Sequence, residues 1–205
     1  MIPGPPLGKE CPHCGEVKAL VTLISGNTFG AICWSDSKTF YPMLPSPSNV
    51  QKCSKCGKYY FLSDANTVPT DKDPYETPTI GELDFKEAKE ALRQLYDSSD
   101  ERNRFILRSY VLYAFNDLYG RNGSPYREDS EDYQYFVENC REMIKMSHTS
   151  STFRAELYRE IGEFEECLTY LDSLDPGSDV ENEIREKIRQ RAVNKDKIVF
   201  TLNDF

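Results

Sequence analysis

Histidine is nearly absent from this sequence: His13 and His148 are the two in 205 residues, and Trp34 is the single tryptophan. So few imidazoles leave little room for His-based acid–base or metal chemistry. No phosphate loop, nucleophile elbow or metalloprotease motif is present either. No run approaches the ~18–20 apolar residues that a membrane helix needs. The first ten residues, Met1 to Glu10, are rich in Pro and Gly and carry no apolar stretch, so no secretory signal is expected and a cytoplasmic location with reduced thiols follows. A surplus of positive charge is also missing. The formal charge is -9, which disfavours a general nucleic-acid binder and an anionic membrane surface.

What is there belongs to a folded chain, with 39% hydrophobic, 12% aromatic and 29% charged residues. The charge is unevenly placed. Residues 1–62 hold six lysines against Glu10, Glu16 and Asp36, a balance of +3, which leaves -12 on residues 63–205.

Seven cysteines in a reduced compartment read as metal ligands plus buried thiols. Four of them form two copies of one pattern, Cys11-Pro12-His13-Cys14-Gly15 and Cys53-Ser54-Lys55-Cys56-Gly57. Two residues between cysteines let a tight turn aim both thiolates at one ion, with backbone N–H groups left over to donate to sulfur. A glycine after the second cysteine permits the positive φ of such a turn. Facing turns complete a tetrahedral S4 site without an open position, which assigns Cys11, Cys14, Cys53 and Cys56 to structural Zn2+. Iron in a rubredoxin-like site suits the same donors. The 38 residues between the pairs exceed the usual short spacing, and an inserted hairpin accommodates them. His13 is expected as an exposed turn residue, and Cys33, Cys140 and Cys167 as core thiols.

The expected fold class is α+β, a small N-terminal β zinc ribbon followed by a helical bundle of about six helices. Val17–Ile24, Phe29–Trp34, Lys38–Tyr41 and Tyr59–Leu62 read as strands, and Pro42–Asn49, with three prolines, as a loop. Residues 1–62 form the ribbon module, 63–81 a linker rich in Asp, Thr and Pro, and 82–205 the helical domain. Helical periodicity places helices over Asp84–Tyr96, Glu101–Tyr119 (capped by Ser99 or Asp100), Asp132–Met146, Thr152–Ile161, Glu163–Leu174 and Asp179–Ala192. The second is apolar nearly all round and should be central. Alternation of Ile198, Phe200 and Leu202 suggests a C-terminal strand or extended tail.

Two resemblances rest on these segments. Ser25-Gly26-Asn27-Thr28-Phe29-Gly30-Ala31, Trp34-Ser35-Asp36 and Pro42-Met43-Leu44-Pro45, set between the cysteine pairs, resemble uncharacterised bacterial proteins with an N-terminal zinc ribbon. That resemblance covers about residues 8–62 and implies the metal site but no activity. The stretch Ala155 to Leu168 resembles a tetratricopeptide repeat (TPR). It implies that Gly162 packs the turn between paired helices, that Ala155 and Cys167 make small-residue contacts, and that Pro176 falls near the repeat's closing proline. The preceding helix pair departs from the repeat through its Gly/Pro-containing connection. A free-standing stack normally needs at least three copies, so the expectation is a TPR-like bundle.

Function is expected to be non-catalytic: protein–protein interaction through the helical region, with a basic partner favoured by its charge. The alternative is a nucleic-acid-binding ribbon, with Lys52, Lys55 and Lys58 on phosphates and Tyr59, Tyr60 and Phe61 stacking on bases. The competing account of those residues has the aromatics covering the metal site while the lysines keep an edge strand soluble.

Overall fold

Each C-x-x-C-G pattern is the turn of a short antiparallel hairpin. In the computed structural model, which describes residues 2–44, 48–74 and 83–202, the strands are β1 (Ile2–Pro3), β2 (Leu7–Glu10), β3 (Val17–Leu20), β4 (Leu23–Ser25), β5 (Ile32–Cys33), β6 (Thr39–Phe40), β7 (Val50–Lys52), β8 (Tyr59–Phe61) and β9 (Asn66–Val68). Six helices follow: α1 (Phe85–Leu95), α2 (Glu101–Leu118), α3 (Glu131–Lys145), α4 (Ser151–Glu160), α5 (Phe164–Asp172) and α6 (Asp179–Val193). The class is α+β, as the sequence implies.

Contacts group the chain into two compact units, one of Met1–Ala31 with Phe40–Ser98, the other of Ile32–Thr39 with Ser99–Phe205. This grouping differs from a division at 62 and 81. Helix α1 belongs with the strands, and residues 32–39 belong with the later helices.

In the first unit β2 lies between β3 and β9 in an antiparallel sheet, β1 pairs with β4, and β7 pairs with β8. The single strand expected over Val17–Ile24 is two. Val21 and Thr22 break it, where the Thr22 hydroxyl donates to the Pro5 carbonyl at 2.7 Å and the Thr22 carbonyl accepts from Gly4 N–H at 2.8 Å. Phe29–Trp34 is likewise shorter than expected. The Asn27 side chain accepts from Phe29 N–H at 3.0 Å, an Asx turn, and the strand starts only at Ile32. Within the expected linker, Asn66–Val68 is a strand paired to β2 with Gly8 opposite Val68; its residues 75–81, with Pro78, lie outside the described residues, as do Pro45–Pro47 of the proline loop. Helix α1 buries Phe85, Ala88, Ala91 and Leu92, spaced along one stripe, and Asp84 caps it by accepting from Glu87 N–H at 2.8 Å.

In the second unit the serine and aspartate caps fall where the helical period begins: Asp100, Ser130, Ser150 and Ser178 each accept from a backbone N–H three residues on. Helix α2 buries Leu107, Val111, Leu112 and Phe115, with Phe115 stacked on Phe136 of α3 at 4.2 Å between centroids. A second cluster joins Ala155, Cys167, Leu171, Ile188, Ala192 and Phe200. The alternating C-terminal segment is extended. Ser35 N–H donates to the Phe200 carbonyl at 2.9 Å and Leu202 N–H to the Cys33 carbonyl at 2.7 Å. The partner of this tail is therefore the 32–39 segment, 165 residues earlier in sequence.

Charge is buried inside this unit. Asp36, Glu156, Arg159 and Glu160 are inaccessible to solvent. Arg159 is held by Glu156 at 2.5 and 2.8 Å, donates to the Asp196 carbonyl at 2.5 Å and sits over the Phe200 ring. Arg121 pairs with Asp36 and, at 2.7 Å, with Asp117, which also takes Lys38 at 2.6 Å. The Asn116 amide bridges Asp36 at 3.0 Å and Glu160 at 2.9 Å, and Tyr126 donates to its carbonyl at 2.8 Å. Four carboxyls here meet three cations, and Glu160 touches none of the three directly. Burial, followed by repulsion from Glu156, pushes the Glu160 carboxyl well above the usual carboxylate range, and burial raises Asp36 as well.

Two outcomes follow. Arg159→Met strands the buried Glu156 and should cost ~3–5 kcal/mol in urea unfolding, whereas Glu156→Gln with Arg159→Met should recover most of the loss. Because folding favours protonated Glu160, its contribution is complete below about pH 4.5. It then declines by ~1.4 kcal/mol per pH unit until the raised native value is passed. Glu160→Gln, a neutral isostere, should remove that decline in unfolding measured from pH 5 to 8; an unchanged slope refutes the assignment.

Candidate metal centre

The two hairpins carry the same local structure, offset by 42 positions. Glu10 pairs with Val17 across the first turn and Lys52 with Tyr59 across the second. Cys11 N–H donates to the Glu16 carbonyl at 2.8 Å, and Cys53 N–H to the Lys58 carbonyl at 2.9 Å. Gly15 and Gly57 donate back to the carbonyls of Cys11 and Cys53 at 3.0 and 2.9 Å, closing both turns. Both glycines hold left-handed backbone, φ +73° and +71°. Space does not demand them, since a Cβ at Gly57 would meet nothing within 4 Å; the backbone angle does.

The turns bring Cys11, Cys14, Cys53 and Cys56 together, with all four sulfur atoms within 4.8 Å of one another. Across the two turns, Cys11 Sγ is 3.9 Å from Cys56 Sγ and Cys14 Sγ 3.6 Å from Cys53 Sγ. A tetrahedral zinc with Zn–S of ~2.3 Å requires sulfur separations of ~3.8 Å, so the donor set suits a metal ion such as zinc. All seven cysteines are free thiols.

The surroundings are arranged for anionic sulfur. Backbone N–H groups of His13 and Cys14 point at the Cys11 sulfur, those of Cys56 and Lys55 at Cys53, and that of Glu16 at Cys14. Burial opposes ionisation at Cys53, but the amides and the Cys14 and Cys56 thiols outweigh it and bring Cys53 down to about 7. At Cys14 the Glu16 amide works downward, yet burial and the three neighbouring sulfurs together push the thiol up to about 12. Four thiols this close share one negative charge easily and four only with a cation among them. Tyr60 packs on Cys11, Cys53 and Ala65 and closes one side; burial, then the sulfur charges, raise its phenol to about 12. Cys56 faces solvent.

His13 is exposed, as expected, and its Nε2 lies 3.2 Å from the Tyr59 carbonyl. Tyr59, Tyr60 and Phe61 are all buried, so none offers a face on which a base could stack. Lys52 is paired with Glu87 at 2.8 Å and Lys55 with Glu16 at 3.7 Å. Burial of the three rings leaves the base-stacking arrangement without a platform, and Tyr60 packs against the cysteine cluster. Cys140 and Cys167 are fully buried, and burial drives the Cys140 thiol far above its ordinary value. Cys33 is half-buried.

The purified chain should contain one equivalent of metal, and Cys11→Ser with Cys14→Ser should abolish it while the strand unit loses its cooperative unfolding. Elemental analysis and thermal melts read both. Gly57→Ala should weaken the folded unit by ~1 kcal/mol through its backbone angle alone. No family model, no curated protein and no solved structure matches this chain.

Proposed function

We propose that this chain is a non-catalytic interaction protein whose strand unit is held by structural zinc and whose helical unit receives a basic protein segment. The single observation that carries the reading is the sulfur cluster. Four thiolates saturate a tetrahedral ion, leave no coordination position for water or substrate, and so make the metal a brace.

The interaction half is supported by the helical unit. The α4–α5 pair has the features of a TPR-like hairpin: Gly162 takes a left-handed turn at φ +84°, and the small side chains Ala155 and Cys167 are fully buried in one cluster. An open cleft of about 670 Å³ runs along α3, lined by Asp129, Glu131, Glu138 and Glu142 together with Arg141 and Lys145. Arg141 is drawn to Glu163 at 2.7 Å and Lys145 to Glu142 at 2.7 Å, which leaves acids in excess along the cleft. A lysine- or arginine-rich peptide is the complementary occupant.

Full-length, zinc-loaded protein should bind basic peptides in fluorescence anisotropy, with affinity falling steeply as salt rises. Glu138→Lys with Glu142→Lys should lower that affinity about tenfold while leaving the melting temperature within a few degrees. An affinity indifferent to the reversals, or tighter binding to single-stranded oligonucleotides, refutes the reading.

A further inference from the structure

The chain has a stretch nearly empty of charge, and that stretch is apolar and exposed. Between Lys18 and Lys52 the charged residues are Asp36 and Lys38. Both are engaged within the helical unit, Asp36 by Arg121 and Lys38 by Asp117. The rest of the stretch, in the strand unit, presents Phe29 at 80% exposure, Ile24 at 71%, Phe40 at 54%, and Tyr41, Met43 and Leu44 each more than a third exposed.

These side chains come from two segments that touch. A Cβ on Gly26 would fall 2.6 Å from Leu44 Cδ1 and 2.7 Å from the Met43 carbonyl, and one on Gly30 3.4 Å from the Pro42 ring. The turn that closes 41–44 is held by Leu44 N–H donating to the Tyr41 carbonyl at 3.2 Å. Strand β4, which carries Ile24, has β1 as its one sheet neighbour among the described residues. The result is a group of exposed apolar side chains on two touching segments beside a sheet edge, which soluble proteins seldom leave uncovered.

We infer that this surface is the interface of a homodimer, its occupant being a second copy of this chain. Three observations choose a second copy. The first is area. Six large side chains about half exposed present on the order of 500–600 Å² of apolar surface. A standard interface buries ~800 Å² per partner, a little over half of it non-polar, so the patch supplies the apolar share of one side. The second is charge. Copies carrying -9 each repel through their acidic faces, and here they meet through a surface with no charge to desolvate or oppose. The third is composition: Phe, Tyr and Met are the residues that interface centres collect, and a twofold axis brings each such patch against itself.

The salt response separates this from peptide binding. Association through an uncharged apolar face between two acidic bodies tightens as salt screens their repulsion, whereas capture of a basic peptide weakens. Sedimentation velocity on the full, metal-loaded chain, across a roughly hundredfold concentration range at low and high salt, should show a monomer–dimer equilibrium that shifts toward dimer with salt. Phe29→Asp and Ile24→Asp, alone and together, should each weaken dimerisation at least tenfold. Metal content and melting temperature should stay unchanged, because both side chains are exposed. Phe29→Ser checks that loss of apolar area suffices without an added charge. A monomer at every concentration, or a dimer that all four variants leave intact, overturns the inference. So does a monomer that binds phosphatidylcholine vesicles through Phe29 and Ile24.

Discussion

The first unit depends on one electrostatic constraint, the confinement of four sulfur atoms within 4.8 Å. Thiols at that spacing cannot all ionise unless a cation shares the space, and the amides of both turns are already aimed to support ionised sulfur. The unit has little else of comparable strength. Its strands are two to four residues long and its sheets hold two or three strands, too short for independent stability. A cation bound by both turns would join segments 38 residues apart and act as a crosslink acts, by removing loop entropy from the unfolded chain. Local geometry, not length of strand, then determines the fold: each hairpin is registered by the turn that presents its cysteines.

The second unit meets a different constraint, the burial of charge. Its helices pack by ordinary apolar stripes, yet Arg159, Glu156, Asp36 and Arg121 sit where a hydrocarbon core would be expected. Such pairs add little net stability, but each partner becomes costly to lose once the other is buried. They therefore specify arrangement more than they add free energy. Asp36 ties the 32–39 segment to α2 through Asn116 and Arg121, and Arg159 ties α4 to the tail through Asp196 and Phe200. A segment that leaves the ribbon between its cysteine pairs thus becomes part of the helical core.

Legibility in the sequence divides along the same line. The helices could be read to within about two residues because caps and a 3.6-residue period coincide, as at Asp84, Asp100 and Ser150. The four-cysteine cluster could be read because C-x-x-C-G specifies its own turn. The strands were harder, since β2 and β9 are short and mixed in polarity, and pairing between Gly8 and Val68 is a long-range fact. Least legible was the buried network. Glu156, Arg159 and Glu160, spaced three and four apart on a helix, carry no sequence signal of burial, and only the tertiary placement of the tail encloses them. The same blindness applies to Phe29, read as the first residue of a strand, which instead follows an Asx turn and lies exposed.

The sulfur cluster and the apolar surface are linked by position. The connection between the two cysteine pairs must begin and end at fixed points set by the sulfurs, and the long insert between them satisfies that requirement in two ways. Its middle, residues 32–39, is spent in the helical unit; its flanks, 23–30 and 40–44, remain with the strand unit as short strands and turns. Segments that short cannot build a core of their own, so their apolar side chains stay at the surface. An uncharged, aromatic-rich surface is retained against the pressure of solubility only where something covers it. The chain's acidity closes off most candidates for that role by repelling anionic surfaces, and a face without charge offers a basic partner nothing to pair with. What remains is an apolar counterpart of matching size, and the one such surface that the chain is certain to meet is its own.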